Sequence, residues 1–206
     1  MSTVYARSTT IDAHPSFIDV GITHIRDTVM PALAGIDGCA GLSLLVDRGS
    51  GRCIATSSWL DEDSLRASES HVLQLRDSTA DVFHGTITVA RWDIAVLHRD
   101  HHSHRGAGVR VTWLEVEPGH LDRAIDVYKT ASLPAMAELD GFCSASLLVD
   151  PAAGRAVASM TFGHRPGDER QQGQVRDHHN FRNYARWCAA ARGGRVRVGD
   201  RSSART

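Results

Sequence analysis

Apolar and polar residues alternate with a period of two over residues 5–11 and, more clearly, over 109–116 (VRVTWLEV), which predicts an extended strand at each place. The period then lengthens. Ile18, Ile22, Ile25, Val29 and Leu33 recur at helical spacing, as do Leu121, Ile125, Tyr128 and Leu133. Pro15 and Pro118 stand where such helices begin, and Pro31 and Pro134 fall near their ends. Asp37-Gly38 and Asp140-Gly141 turn the chain. A hairpin follows in each half, LSLLVD-RGSG-RCIATSSW in the first, with a glycine-containing loop between its strands. Residues 61–81 predict a second helix with Leu65, Val72 and Leu75 on its core face, and 86–97 (TITVARWDIAVL) predict a fourth strand.

These two pattern sets are one pattern used twice. A shift of 103 residues lays 31–59 on 134–162 without a gap. Ser43-Leu44-Leu45-Val46-Asp47 falls on Ser146-Leu147-Leu148-Val149-Asp150, and Gly51-Arg52 on Gly154-Arg155. The same shift carries Arg7 onto Arg110, Thr9 onto Thr112 and Asp19 onto Asp122. A duplicated unit of about a hundred residues follows, each copy ordered β-α-β-β-α-β, the ferredoxin-like arrangement of an α+β fold.

The hairpin that ends in a tryptophan and runs into an acidic helix start (Ser58-Trp59-Leu60-Asp61-Glu62) resembles the antibiotic-biosynthesis-monooxygenase-like group of dimeric α/β barrels. The whole chain looks like uncharacterised bacterial proteins that carry two such units in tandem. The resemblance implies an intramolecular α/β barrel built from two ferredoxin-like units: 1–98, a His/Gly-rich linker at 99–108, and the matching part of the second unit at 109–162. It also implies cofactor-independent oxidation of a small aromatic compound. The competing expectation is a non-catalytic small-molecule-binding or stress-associated protein that keeps the barrel without the chemistry.

If the RGSG loop centres the hairpin turn, one sheet face carries Ser43, Ala55, Ser57 and Trp59, small side chains beside one large ring, where an apolar ligand has room. His71 on the second helix completes the expected pocket: Ser43, Ser57, Trp59 and His71. No catalytic residue is assigned. The haem-degrading branch of the resembling family places a histidine where this chain has Ser68, and its only asparagines are Asn180 and Asn183, which argues against haem chemistry. His98, His101, His102 and His104 cluster at the unit junction, where a solvated linker is expected and no metal site. Four cysteines without a CxxC point to a reducing compartment.

Composition changes the picture at one point. Apolar residues make up 42% and charged residues 23%, which is ordinary globular usage, and net charge is -1. That near-zero value hides a split: residues 1–162 hold thirteen basic and twenty acidic groups, and 163–206 hold ten arginines against four acids. The repeat is lost after Phe162, so 163–206 is expected to be an Arg-rich diverged or frame-shifted tail. A second unit cut short there would leave an open sheet edge and favour a homodimer. Diffuse charge argues against nucleic acid as a partner. No apolar run approaches the ~20 residues of a membrane span, and the start has no signal-peptide core, so a cytoplasmic protein without membrane contact is expected.

Overall fold

The computed structural model describes residues 4–103, 105–117 and 119–163, and the backbone of 203–205. The chain divides into two compact units, 1–94 with 204–206, and 95–203. The expected tail falls almost wholly outside the described residues; a three-residue strand, Ser203–Arg205, pairs Arg205 with Val46.

In the first unit β1 (Val4–Asp12) is followed by a helical run: a 3-10 turn at Pro15–Phe17, α1 (Ile18–His24), a π-turn at Ile25–Val29 and α2 (Met30–Ala34). The hairpin β2 (Cys39–Val46) and β3 (Arg52–Trp59) leads to α3 (Glu62–Ala67), α4 (Glu69–Phe83) and β4 (Thr86–Arg99). β1 lies between β3 and β4, and β3 pairs with β2, all antiparallel, so the order β4-β1-β3-β2 is ferredoxin-like. The described residues of the second unit repeat the first part of this order with β5 (Gly108–Glu115), α5 (Leu121–Val127), a π-turn at Tyr128–Ser132, α6 (Leu133–Ala137), β6 (Phe142–Asp150) and β7 (Arg155–Phe162). β7 pairs with both β5 and β6.

Pro31 and Pro134 fall near the helix ends, as expected: each helical run passes through its proline and stops three residues later, at Ala34 and Ala137. Proline has no N–H and crowds the carbonyl four residues back, so an α-ladder breaks there. The chain widens instead. The N–H of Met30 reaches the carbonyl of Ile25, and the N–H of Leu133 reaches that of Tyr128, each five residues back. The two π-turns stand at corresponding repeat positions, as their prolines do.

The hairpin loops also repeat. Gly51 and Gly154 have φ of +77° and +60°. A Cβ on either would lie 2.6 or 2.7 Å from the carbonyl oxygen of Ala13 or Val116. Glycine supplies both the left-handed backbone and the close approach. The Gly51 carbonyl accepts from the Ala13 N–H at 2.9 Å, and the Gly154 carbonyl from the Val116 N–H at 2.7 Å, which ties each hairpin to the end of the first strand of its unit.

Each unit has its own core between sheet and helices. Ile11, Ile18, Ile25, Leu33, Trp59, Leu65 and Phe83 anchor the first; Leu114, Tyr128, Met136, Phe142, Leu147 and Met160 anchor the second. Among the described residues no helix is long and apolar enough to cross a membrane.

In the first core α1 touches α4 so closely that a Cβ on Gly21 would sit 2.3 Å from the Phe83 ring. Phe83 is fully buried and cannot swing aside. Gly21→Ala is expected to cost about 1–3 kcal/mol by overpacking. Urea midpoints measure it, and an unchanged midpoint would contradict this packing.

Candidate functional site

The helix-facing side of the first sheet is set by register. Arg7 in β1 stands opposite Ser57 in β3 and opposite Arg91 in β4, and Tyr5 stands opposite Trp59. Directly paired residues share a face, and so do residues two apart. Arg7, Ser57, Trp59 and Arg91 therefore meet on the face covered by α3 and α4.

The helices bring the remaining groups. Asp61 caps α3, its carboxylate accepting from the Ser64 N–H at 2.7 Å. The predicted single helix is interrupted at Ser68, between α3 and α4. That break leaves the Leu65 carbonyl free of a helical partner, and it accepts from Ser68 Oγ at 2.8 Å and from Arg7 Nη2 at 2.7 Å. Arg7 Nη1 donates to Ser68 Oγ at 3.0 Å, and Nη2 also donates to Glu69 Oε2 at 2.7 Å. Glu69 and Arg76 lie two helical turns apart on one side of α4, and Arg76 Nη2 donates to Glu69 Oε1 at 2.7 Å. Arg91 Nη2 reaches Glu69 Oε2 at 3.0 Å. Three guanidinium groups thus share one carboxylate.

Arg7 is 1% exposed, yet its Nε has no hydrogen-bond partner. Its Cζ lies 5.7 Å from the centre of the Trp59 ring, within cation–π range. Trp59 is fully buried; its indole N–H donates to Ser57 Oγ at 3.0 Å, and that hydroxyl donates to the Arg7 carbonyl at 3.4 Å. Burial pulls the Arg7 pKa below its ordinary value against the pull of Glu69. Burial also pushes the Glu69 carboxyl up, but the hydrogen bond from Arg76 and the charges of Arg7 and Arg76 outweigh it and hold Glu69 below the usual range.

Of the residues expected in the pocket, Ser57 and Trp59 are brought together. Ser43 is not. The hairpin pairs Leu44 with Ala55 and Val46 with Cys53, one residue out of the predicted register, because the Asp47 N–H donates to the Arg52 carbonyl and only residues 48–51 form the loop. A one-residue slip exchanges the faces of a strand. Ser43 therefore pairs with Thr56 and is exposed on the opposite face, where Trp92 Nε1 donates to Ser8 Oγ at 2.8 Å. His71 is exposed on α4, and Ser68, one turn earlier, occupies the inward place. Arg7, Glu69, Arg76 and Arg91 carry the site's charge and are not in the predicted set. The available signal was the occurrence of Arg7 and Arg110 at one repeat position within predicted strands.

In the second unit Arg110 pairs with Met160, and Phe162 stands in the place of Trp59. The hydroxyl–indole pair is a feature of the first unit. Elsewhere, Cys53 is fully buried, which pushes its thiol up to about 11 and leaves it unreactive at neutral pH. His98 Nε2 lies 2.7 Å from Asp100 Oδ1, and its ring stacks on Phe142. The N–H groups of Asp100 and His101 both donate to the Cys143 carbonyl. Among the described residues no group of three or more His, Cys, Asp or Glu side chains is placed to hold a metal.

Two ferredoxin-like units in tandem give this chain a fold shared with solved monooxygenase-like proteins. A solved anthrone oxidase-like protein superposes on all of this chain and on 91% of its own, with a TM-score of 0.67 at 14% identity. A ferredoxin-fold protein from Listeria monocytogenes, described as related to antibiotic biosynthesis monooxygenases, superposes on 98% of this chain and 94% of its own, with a TM-score of 0.52 at 8% identity. No protein-family model matches the chain. The uncharacterized protein Rv2558 of Mycobacterium tuberculosis is 59% identical over 162 residues, 78% of this chain and 69% of its own. The chain belongs to the family of that mycobacterial protein.

The charge network generates a pH dependence. Glu69 has a lowered pKa when folded, so its stabilisation is present above its ordinary value of 4.5 and is lost as pH falls through the folded value. Glu69→Gln is expected to be less stable than the parent at neutral pH, and the difference should shrink on acidification below pH ~4.5. Urea midpoints at several pH values test this; a constant difference would contradict it.

Proposed function

We propose that the first unit binds a small aromatic compound between its sheet and helices at Trp59, and that it oxidises the compound with molecular oxygen. The observation that carries this reading is the buried Arg7 guanidinium beneath the Trp59 ring, with a donor left unused. A phenolic or anthrone-type substrate reacts with oxygen as its anion, which is more electron-rich than the neutral form. A preorganised guanidinium shielded from water favours that anion. The aromatic wall holds the ring, and the Ser57 hydroxyl fixes the indole. An anthrone then takes up one oxygen atom at carbon while the other leaves as water, and the electrons come from the substrate itself. The monooxygenase-like fold supports this reading.

Oxygen uptake with an anthrone and a quinol tests it. The parent protein should consume oxygen with one of them. Trp59→Phe, which copies the second unit's residue and keeps the core filled, should lower the rate roughly tenfold or more. An equal rate in Trp59→Phe would overturn the assignment of the site. Ligand binding without oxygen uptake would favour the non-catalytic binding protein.

A further inference from the structure

We propose that Glu69 is an internal stand-in for the carboxylate of an acidic aromatic ligand, which takes Glu69's place on Arg7 with its ring against Trp59. The proposal rests on the ligand site proposed at Trp59, and it does not depend on oxidation there.

The contact between Arg7 and Glu69 is incomplete. Nε and Nη2 form one edge of a guanidinium, and a carboxylate fits that edge with both oxygens. The protein contains the complete form at its surface: Arg26 Nε and Nη2 hold the two oxygens of Asp27 at 2.5 and 2.6 Å. Arg7 has only part of it. Nη2 holds one oxygen of Glu69, and Nε is buried without any acceptor. A buried donor left unpaired is costly.

Glu69 is poorly placed to complete the pair. It is fixed at the first position of α4, and its other oxygen is held by Arg76. A free carboxylate has no such tether and can give one oxygen to Nε and one to Nη2. Glu69 is also the member of the contact that is able to leave. Its side chain is 40% exposed, against 1% for Arg7. Arg76 and the more exposed Arg91 remain to hold it when it withdraws.

Charge supports the exchange. Arg7, Arg76 and Arg91 face one carboxylate, and Arg7 and Arg91 are direct cross-strand neighbours. Like charges so placed repel. A second anion relieves that repulsion while Glu69 stays in the cluster. The ligand class that fits is a planar aromatic acid: the carboxylate satisfies Arg7 and the ring meets the indole. Glu69 then acts as a built-in competitor that covers the site until such an acid arrives.

The test compares naphthoate with its uncharged analogue naphthamide by calorimetric titration and thermal shift. Glu69→Gln removes the competing charge and should bind naphthoate roughly tenfold tighter than the parent, the size of one charge-assisted hydrogen bond. Naphthamide affinity should not change. Naphthoate should raise the melting temperature of Glu69→Gln more than that of the parent, because it restores the lost counter-charge. Glu69→Asp, whose shorter side chain draws back from Arg7 without loss of charge, gives the same order with a smaller gain and serves if the glutamine variant does not fold. Unchanged or weaker naphthoate binding in both variants, or an equal gain for naphthamide, would overturn the proposal. Tighter naphthoate binding without any oxygen uptake would uphold it and sink the oxidase reading alone. Oxygen uptake without the naphthoate gain would do the reverse.

Discussion

A guanidinium that is taken out of water must be met by acceptors, and Arg7 imposes that demand on the first unit. Removing a buried charge's partner costs about 3–5 kcal/mol, so the surrounding chain is bound to supply one. The acceptors come from a stretch of only five residues: the Leu65 carbonyl, the Ser68 hydroxyl and the Glu69 carboxylate. They are available because the helix is interrupted at Ser68. An unbroken helix would have committed the Leu65 carbonyl to its own ladder. The same contacts hold α3 and α4 over β1, and the Arg7 carbonyl, through Ser57, sets the orientation of the Trp59 indole. Strand, helix break and ring are linked through one side chain.

The duplication separates what the fold requires from what the site requires. Backbone devices recur in both copies: the π-turn ahead of Pro31 and Pro134, and the left-handed glycine of each hairpin loop against the end of the first strand. Side chains beside the arginine do not recur. Ser57 and Trp59 become Met160 and Phe162, apolar residues that fill a core but offer no hydroxyl or indole N–H. Packing constrains volume, and a hydrogen-bonded relay constrains chemistry, so the second copy shows what remains when only packing is kept.

The same distinction explains what was legible in the sequence. Strand alternation, helical spacing and the 103-residue register are repeated statements about burial, and the order of elements follows from them. Features that depend on a single residue were less visible. Asp47 bonds Arg52 across the four-residue loop 48–51, which sets β2 one position from the expected pairing and puts Ser43 on the face away from Trp59. The break at Ser68 turns that serine inward and leaves His71 outside. A periodicity argument carries the helix straight through because both sides of the break keep helical spacing. Arg7 was hidden for another reason: arginine in a strand reads as solvated, and its burial depends on acceptors some sixty residues away.

Arg7 serves as structural anchor and ligand donor without conflict because its contacts differ in kind. Leu65 supplies a main-chain carbonyl and Ser68 a short side chain, both positioned by the helix break. Glu69 is charged, longer and partly exposed, and two further arginines hold it wherever it goes. Loss of the Glu69 contact removes the ion pair and leaves the two hydrogen bonds to neutral acceptors that position the guanidinium. Those two fix geometry, and the charge of Glu69 sets how readily the site accepts another anion. A neutral residue at 69 would therefore alter affinity more than orientation, whereas loss of the Ser68 hydroxyl would disturb orientation first.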